Sequence, residues 1–146
     1  MKTYKDNEGR EWQLSVNVGS LKRVKELVGF DLLGDNGDIS QSLMELSRNP
    51  VLLGDVLYCL CKPQADKREI SDIEFGESLA GDAVEQATKA LIQEIVDFFP
   101  AQKRQRLQTL LGKMEAVEAK ALELADVQIS KMDINKLAKQ ASNIGN

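Results

Sequence analysis

Near the start of the chain, apolar positions alternate with polar ones: Trp12, Leu14, Val16 and Val18 are separated by Gln13, Ser15 and Asn17. A period of two marks a strand with one buried face. Asp6-Asn7-Glu8-Gly9 just ahead of it is turn chemistry, so Lys2 to Lys5 is expected to fold back as the first arm of a hairpin. Two strands alone are marginal and need a helix to cover them. The next segment offers one: Ser20 is a capping residue type, Leu21, Val24, Leu27 and Val28 share a helical face, and Gly29 is suited to end the helix. That helix is expected to lie over the hairpin.

From here the period is helical. A loop through Asp31 to Asp38 leads to a short helix carrying Ile39, Leu43, Met44 and Leu46, and Asn49-Pro50 restarts the chain as a cap followed by a first-turn proline. Between Val51 and Leu60 nearly every residue is apolar, the mark of a central helix buried all round. Lys62 to Arg68 reads as a polar loop. Ser71 with Glu74 gives a capping box for a short helix with Phe75 and Leu79. Gly81-Asp82 reads as a stop followed by a cap. The helix after it carries one stripe of Val84, Ala87, Leu91, Ile95 and Phe98 and a second of Ile92, Val96 and Phe99, ending at Pro100.

Beyond Pro100 the chain is glycine-poor and highly charged, and Leu107, Leu110, Met114, Val117, Ala121 and Leu124 recur at alternating steps of three and four. That spacing is a heptad-like seam. It breaks at Gln128 and Lys131, and Ile129, Met132, Ile134 and Leu137 follow a different register. A helix over 101–127 would be about 40 Å long at ~1.5 Å per residue, long for packing wholly on so small a domain. The expected fold is therefore α+β and predominantly α: an N-terminal β-hairpin covered by a helical bundle in residues 1–100, and a long, charged helical extension in 101–146.

Composition narrows the class. At 146 residues the chain holds one ordinary core, and 42% hydrophobic with 29% charged residues is a globular balance. No apolar run approaches the ~20 residues of a membrane span, and Met1-Lys2-Thr3-Tyr4-Lys5-Asp6 lacks the apolar core of a signal peptide, so a cytoplasmic protein is expected. Cys59 and Cys61, two apart in the expected helix, point to roughly opposite faces, which suits neither a shared metal nor a disulfide. They read as small buried hydrophobes. The net charge is −4, unevenly spread: residues 1–100 hold 11 basic and 18 acidic side chains, and residues 101–146 hold 8 and 5. Such asymmetry steers association, or marks adjacent solvated faces.

Catalytic signatures are missing. The chain has no histidine, which removes the usual general base and the commonest metal ligand. Carboxylate pairs such as Glu74 with Glu77, or Glu115 with Glu118, read as solvated helix faces. With Gly37 as the sixth position of a calcium loop, the first and twelfth ligands would be Leu32 and Leu43, which have no side-chain oxygen. A phosphate loop ending at Gly112-Lys113 would need glycine where Leu107 stands and a hydroxyl where Met114 stands. No catalytic residue, metal site or cofactor is assigned. The strongest basic run, Lys103-Arg104-Gln105-Arg106, follows an acidic segment, and aromatics are only 5%, which weighs against nucleic acid.

Two stretches carry a family resemblance. One runs from Asp6-Asn7-Glu8-Gly9-Arg10-Glu11-Trp12 through Leu21-Lys22-Arg23-Val24 to Phe30-Asp31-Leu32-Leu33. The other runs from Phe75-Gly76-Glu77-Ser78-Leu79-Ala80-Gly81-Asp82 through Ala87-Thr88-Lys89-Ala90-Leu91 to Asp97-Phe98-Phe99-Pro100. Together, over about residues 4–100, they resemble the small tail-assembly chaperones encoded among the tail genes of tailed phages and prophages. The resemblance implies a non-catalytic protein of the bacterial host cytoplasm. Such a protein binds the tape measure protein, keeps that long amphipathic chain in solution and helps recruit tail tube subunits.

The seam fits such a role, since a chaperone needs an exposed apolar stripe flanked by charge. Phe98 and Phe99 are candidate anchors at the junction, and Leu107, Leu110, Met114 and Val117 are candidates for the partner surface. Packing within the chain, or homo-oligomerisation through the 101–127 helix, would use the same seam. The alternatives are a structural protein kept in the phage tail, or a small helical DNA-associated regulator using Ser20 to Val28 and the basic run.

Overall fold

In the computed structural model of the protein, the backbone is described for residues 2–144 and the side-chain environment, Asn36 aside, for residues 2–132. The chain is α+β and predominantly helical. Strands β1 (Lys2–Lys5) and β2 (Glu11–Leu14) pair antiparallel, with Lys2 opposite Leu14 and Tyr4 opposite Trp12. Six helices follow: α1 (Val18–Val28), α2 (Ile39–Arg48), α3 (Pro50–Lys67), α4 (Asp72–Glu77), α5 (Asp82–Asp97) and α6 (Ala101–Ile144). They group into two compact units, Met1–Arg104 and Gln105–Asn146.

The hairpin is shorter than the alternation suggested. Tyr4, Trp12, Leu14 and Val16 are buried, but Val18 is 59% exposed because it already belongs to α1. Asn17 stops the strand. Its side chain accepts a hydrogen bond from the Ser20 amide at 2.9 Å, and Ser20 Oγ accepts one from the Asn17 amide at 2.8 Å. Ser20 is therefore the third helical residue of a capping box and not the cap itself. Gly29 ends α1 in the left-handed conformation, φ 74°, with its N–H bonded to the Lys25 carbonyl.

The cover over the hairpin is not α1, which packs on α3; α5 lies against β1 and α3 against β2. The central helix α3 starts as expected, with Asn49 accepting from the Leu52 amide and Pro50 in the first turn. It buries Leu53, Val56, Leu57, Cys59, Leu60, Cys61 and Ala65, while Val51 at its first turn is 72% exposed.

α3 also runs through the expected polar loop to Lys67, with Pro63 inside it. An interior proline forfeits a backbone hydrogen bond and normally breaks a helix. Here the next residue fixes the turn. Gln64 accepts a hydrogen bond from the Gln13 amide at 3.0 Å and donates one to the Gln13 carbonyl at 2.8 Å, tying both main-chain groups of that β2 residue to the helix.

Ser71 caps α4 by accepting from the Glu74 amide. Gly81, at φ 60°, occupies the cap position of α5 with no side-chain hydrogen bond, and Asp82 lies in the first turn. The buried residues of α5 are Ala83, Ala87, Ala90, Leu91, Glu94, Ile95 and Val96, a face rotated from the predicted stripe. Val84, Ile92, Phe98 and Phe99 are only half-buried.

α6 extends 44 residues, about 66 Å at ~1.5 Å per residue, so the expected helical extension is one continuous helix through the break in its apolar seam. The break at Gln128 and Lys131 moves the apolar face around the helix but introduces no residue that stops it. No proline follows Pro100, and Gly112 is the only glycine before the last two residues. The side chains of Ile134 and Leu137 lie outside the described residues. A Cβ on Gly112 would meet nothing within 4 Å. Gly112→Ala is therefore expected to stabilise α6 by about 1 kcal/mol, read as slower amide hydrogen exchange in the turns around it.

Candidate interaction surface

α6 carries a row of exposed apolar side chains that no other element matches. Leu110 is 41% exposed, Met114 39%, Val117 67% and Leu124 59%, and the row continues through Ile129 and Met132 at 56% and 68%. Soluble chains rarely leave so many large apolar groups in line on one helix without a use for them. Leu107 differs: at 8% exposure it is buried and stands outside the exposed row.

Helical geometry orders the charges around this stripe. At 3.6 residues per turn, Arg106, Lys113 and Lys120, seven apart, follow one border, whereas Glu118 lies on the other. All four are exposed. The continuation through Ile129 and Met132, absent from the candidate residues read from the sequence, was signalled there only as a change of register.

Phe98 and Phe99 lie in the first unit. Their rings meet edge to face with centroids 5.4 Å apart, and Lys103 Nζ sits 4.5 Å from the Phe99 centroid. That contact engages one member of the basic run with an aromatic face. Both are half-buried and lie just before the start of α6.

The motif-rich stretches around the hairpin turn and α4 form a different kind of centre. Asp6 Oδ1 accepts from the Glu8 and Arg10 amides, both at 2.9 Å; its Oδ2 accepts from Arg10 Nε at 2.9 Å and Trp12 Nε1 at 2.8 Å. Arg10 reaches on to Ser78 Oγ at 2.6 Å, and the Asn7 amide donates to the Ser78 carbonyl at 2.9 Å. Trp12 stacks edge to face on Phe75 at 4.9 Å, with the Arg68 guanidinium 4.5 Å from its ring. Burial acts to raise the Asp6 pKa, but the hydrogen bonds from Trp12 and Arg10 and the Arg10 charge outweigh it and hold the carboxyl below its ordinary value. No fully buried side-chain polar atom in this cluster lacks a partner, so it reads as a fastening of the hairpin turn to α4.

Reactive groups are kept protonated. Burial pushes the Cys61 thiol up to about 12 against a smaller opposing effect of Arg68, and burial likewise raises Cys59. Both cysteines are free and buried. Tyr4 is also raised, first by burial and then by Cys61 and Asp6. Among the described residues no three metal-ligating side chains come together, and no helix is long and apolar enough to cross a membrane.

Comparisons of the chain with protein-family models, with curated proteins and with solved structures gave no match.

Proposed function

We propose that this is a non-catalytic binding protein of the tail-assembly-chaperone type, working in the cytoplasm of a bacterial host. It holds the tape measure protein of a tailed phage and helps bring tail tube subunits to it. The observation that carries the reading is the exposed apolar row on α6, from Leu110 through Val117 to Met132, bordered by charge. An amphipathic client helix laid along that row would bury apolar surface on both partners. Phe98 and Phe99 supply aromatic anchors of the kind that dominate binding energies.

Two further observations support it. The stretches that carry the family resemblance meet in space, through Arg10 with Ser78 and Trp12 with Phe75, as parts of one module would. The lack of histidine and the burial of both thiols remove two common sources of a general base or nucleophile.

The test is co-expression of the full chain with the tape measure protein encoded beside it. A soluble complex is expected, and Val117→Lys should cut its recovery roughly tenfold by placing a charge in the contact. If the wild-type chain retains no client, the chaperone reading fails.

A further inference from the structure

We infer that α6 is a dimerisation helix, pairing two copies of the chain in parallel along the row from Leu110 to Met132. Leu110, Met114, Val117, Ala121 and Leu124 keep the alternating three- and four-residue steps that a two-stranded coiled coil requires. The step pattern then lengthens: from Val117 the apolar positions advance by fours through Ala121 and Ala125 to Ile129, and by three to Met132. Successive steps of four are a stutter, which locally unwinds the supercoil and lets straighter helices stay in contact. The contact therefore continues past Gln128 and Lys131, where a strict heptad would put polar side chains at the centre.

Charge selects the second copy as the occupant and sets its direction. With Leu110 and Val117 at d positions, Arg106, Lys113 and Lys120 fall at g, and Glu118 falls at e. In a parallel pair, g of one helix faces e of the other five residues on. Lys113 of each copy then meets Glu118 of its partner, giving two symmetric ion pairs across the interface. In an antiparallel pair g faces g, and the basic row would confront its own copy over its whole length. Neither Lys113 nor Glu118 has an ion-pair partner within the chain among the described residues, so both are free to make the contact. Gly112 falls at f, away from the partner, where its missing side chain costs no contact.

The inference rests on the reading of α6 as a contact surface but gives the row a second copy, which a client helix would have to displace or share, and it needs no client, so the two can fail separately. The test is light scattering coupled to size-exclusion chromatography on the purified full chain. A mass twice the chain's 16.2 kDa is expected. Lys113→Glu, or Glu118→Lys, should weaken the dimer roughly tenfold by turning two attractions into two repulsions, and the combined exchange should restore it. Far-UV circular dichroism, unchanged among the three variants, separates this from loss of the helix. A wild-type monomer at high protein concentration would overturn the proposal. So would a dimer that Lys113→Glu strengthens and the double exchange fails to restore, because that is the antiparallel response. A monomer that still retains the client would keep the chaperone reading and lose this one; a dimer that ignores the client would do the reverse.

Discussion

Trp12→Ala is expected to remove about 3–5 kcal/mol from the unfolding free energy, the usual cost of emptying a fully buried large aromatic site. Trp12 is completely buried, its ring meets Phe75 edge to face at 4.9 Å, and Arg68 covers it at 4.5 Å. Its indole N–H also donates to Asp6 at 2.8 Å, so truncation removes packing and a hydrogen bond together. A domain of this size has about 5–15 kcal/mol in total, so this loss is a large fraction of it and lowers the urea midpoint accordingly. Trp12→Phe keeps most of the ring volume and loses the donor, so its cost should be nearer 1–2 kcal/mol. Urea unfolding followed by far-UV circular dichroism measures both, since this is the chain's single tryptophan and fluorescence would vanish with it. A cost for the alanine variant no larger than for phenylalanine would mean that the Trp12–Phe75–Arg68 stack contributes little.

The hairpin turn and the junction at Asn49-Pro50 were legible because their chemistry is local. An aspartate that bonds amides two and four residues on, or an asparagine cap followed by proline, needs only neighbouring sequence. The α3 extension was not legible, because Pro63 argues for a break and the opposing tie, Gln64 to Gln13, spans 51 residues. The same distance problem hid the cover of the hairpin. α5 lies on β1 although α1 is next in sequence, and nothing in the periodicity of either helix says which surface it will meet. The strand was read too long because Val16 and Val18 continue its alternation, whereas the Asn17 and Ser20 capping box turns the chain between them.

On α6 the apolar spacing was plain, and Leu110, Met114 and Val117 are exposed whereas Leu107 is buried, a difference that spacing alone does not contain. α6 runs on as a single helix through the change of register at Gln128 and Lys131, because neither residue breaks a helix.

Asp6→Asn tests the other half of the fastening, and it should cost about 3 kcal/mol near neutrality although the side chain keeps its size and one acceptor. The carboxylate receives four hydrogen bonds and its side chain is 2% exposed, so it works only as an acceptor. In the amide, Oδ1 can still take the Glu8 and Arg10 amides. The new NH2 then faces Arg10 Nε and Trp12 Nε1, both donors, and a buried donor set against donors forfeits its hydrogen bonds and its hydration together. The pH dependence distinguishes this from a simple packing defect. Because the folded pKa of Asp6 lies below its ordinary value of 3.8, its stabilisation is fully present above that value and is lost as the pH falls through the folded pKa. The gap between wild type and Asp6→Asn in urea midpoint should therefore stay constant from neutrality down to mildly acid solution. It should narrow below 3.8, where the wild-type carboxyl takes up the proton that turns it into a donor as well. A gap that stayed constant through that range would mean the aspartate's charge is not what holds the hairpin turn to Trp12 and Arg10.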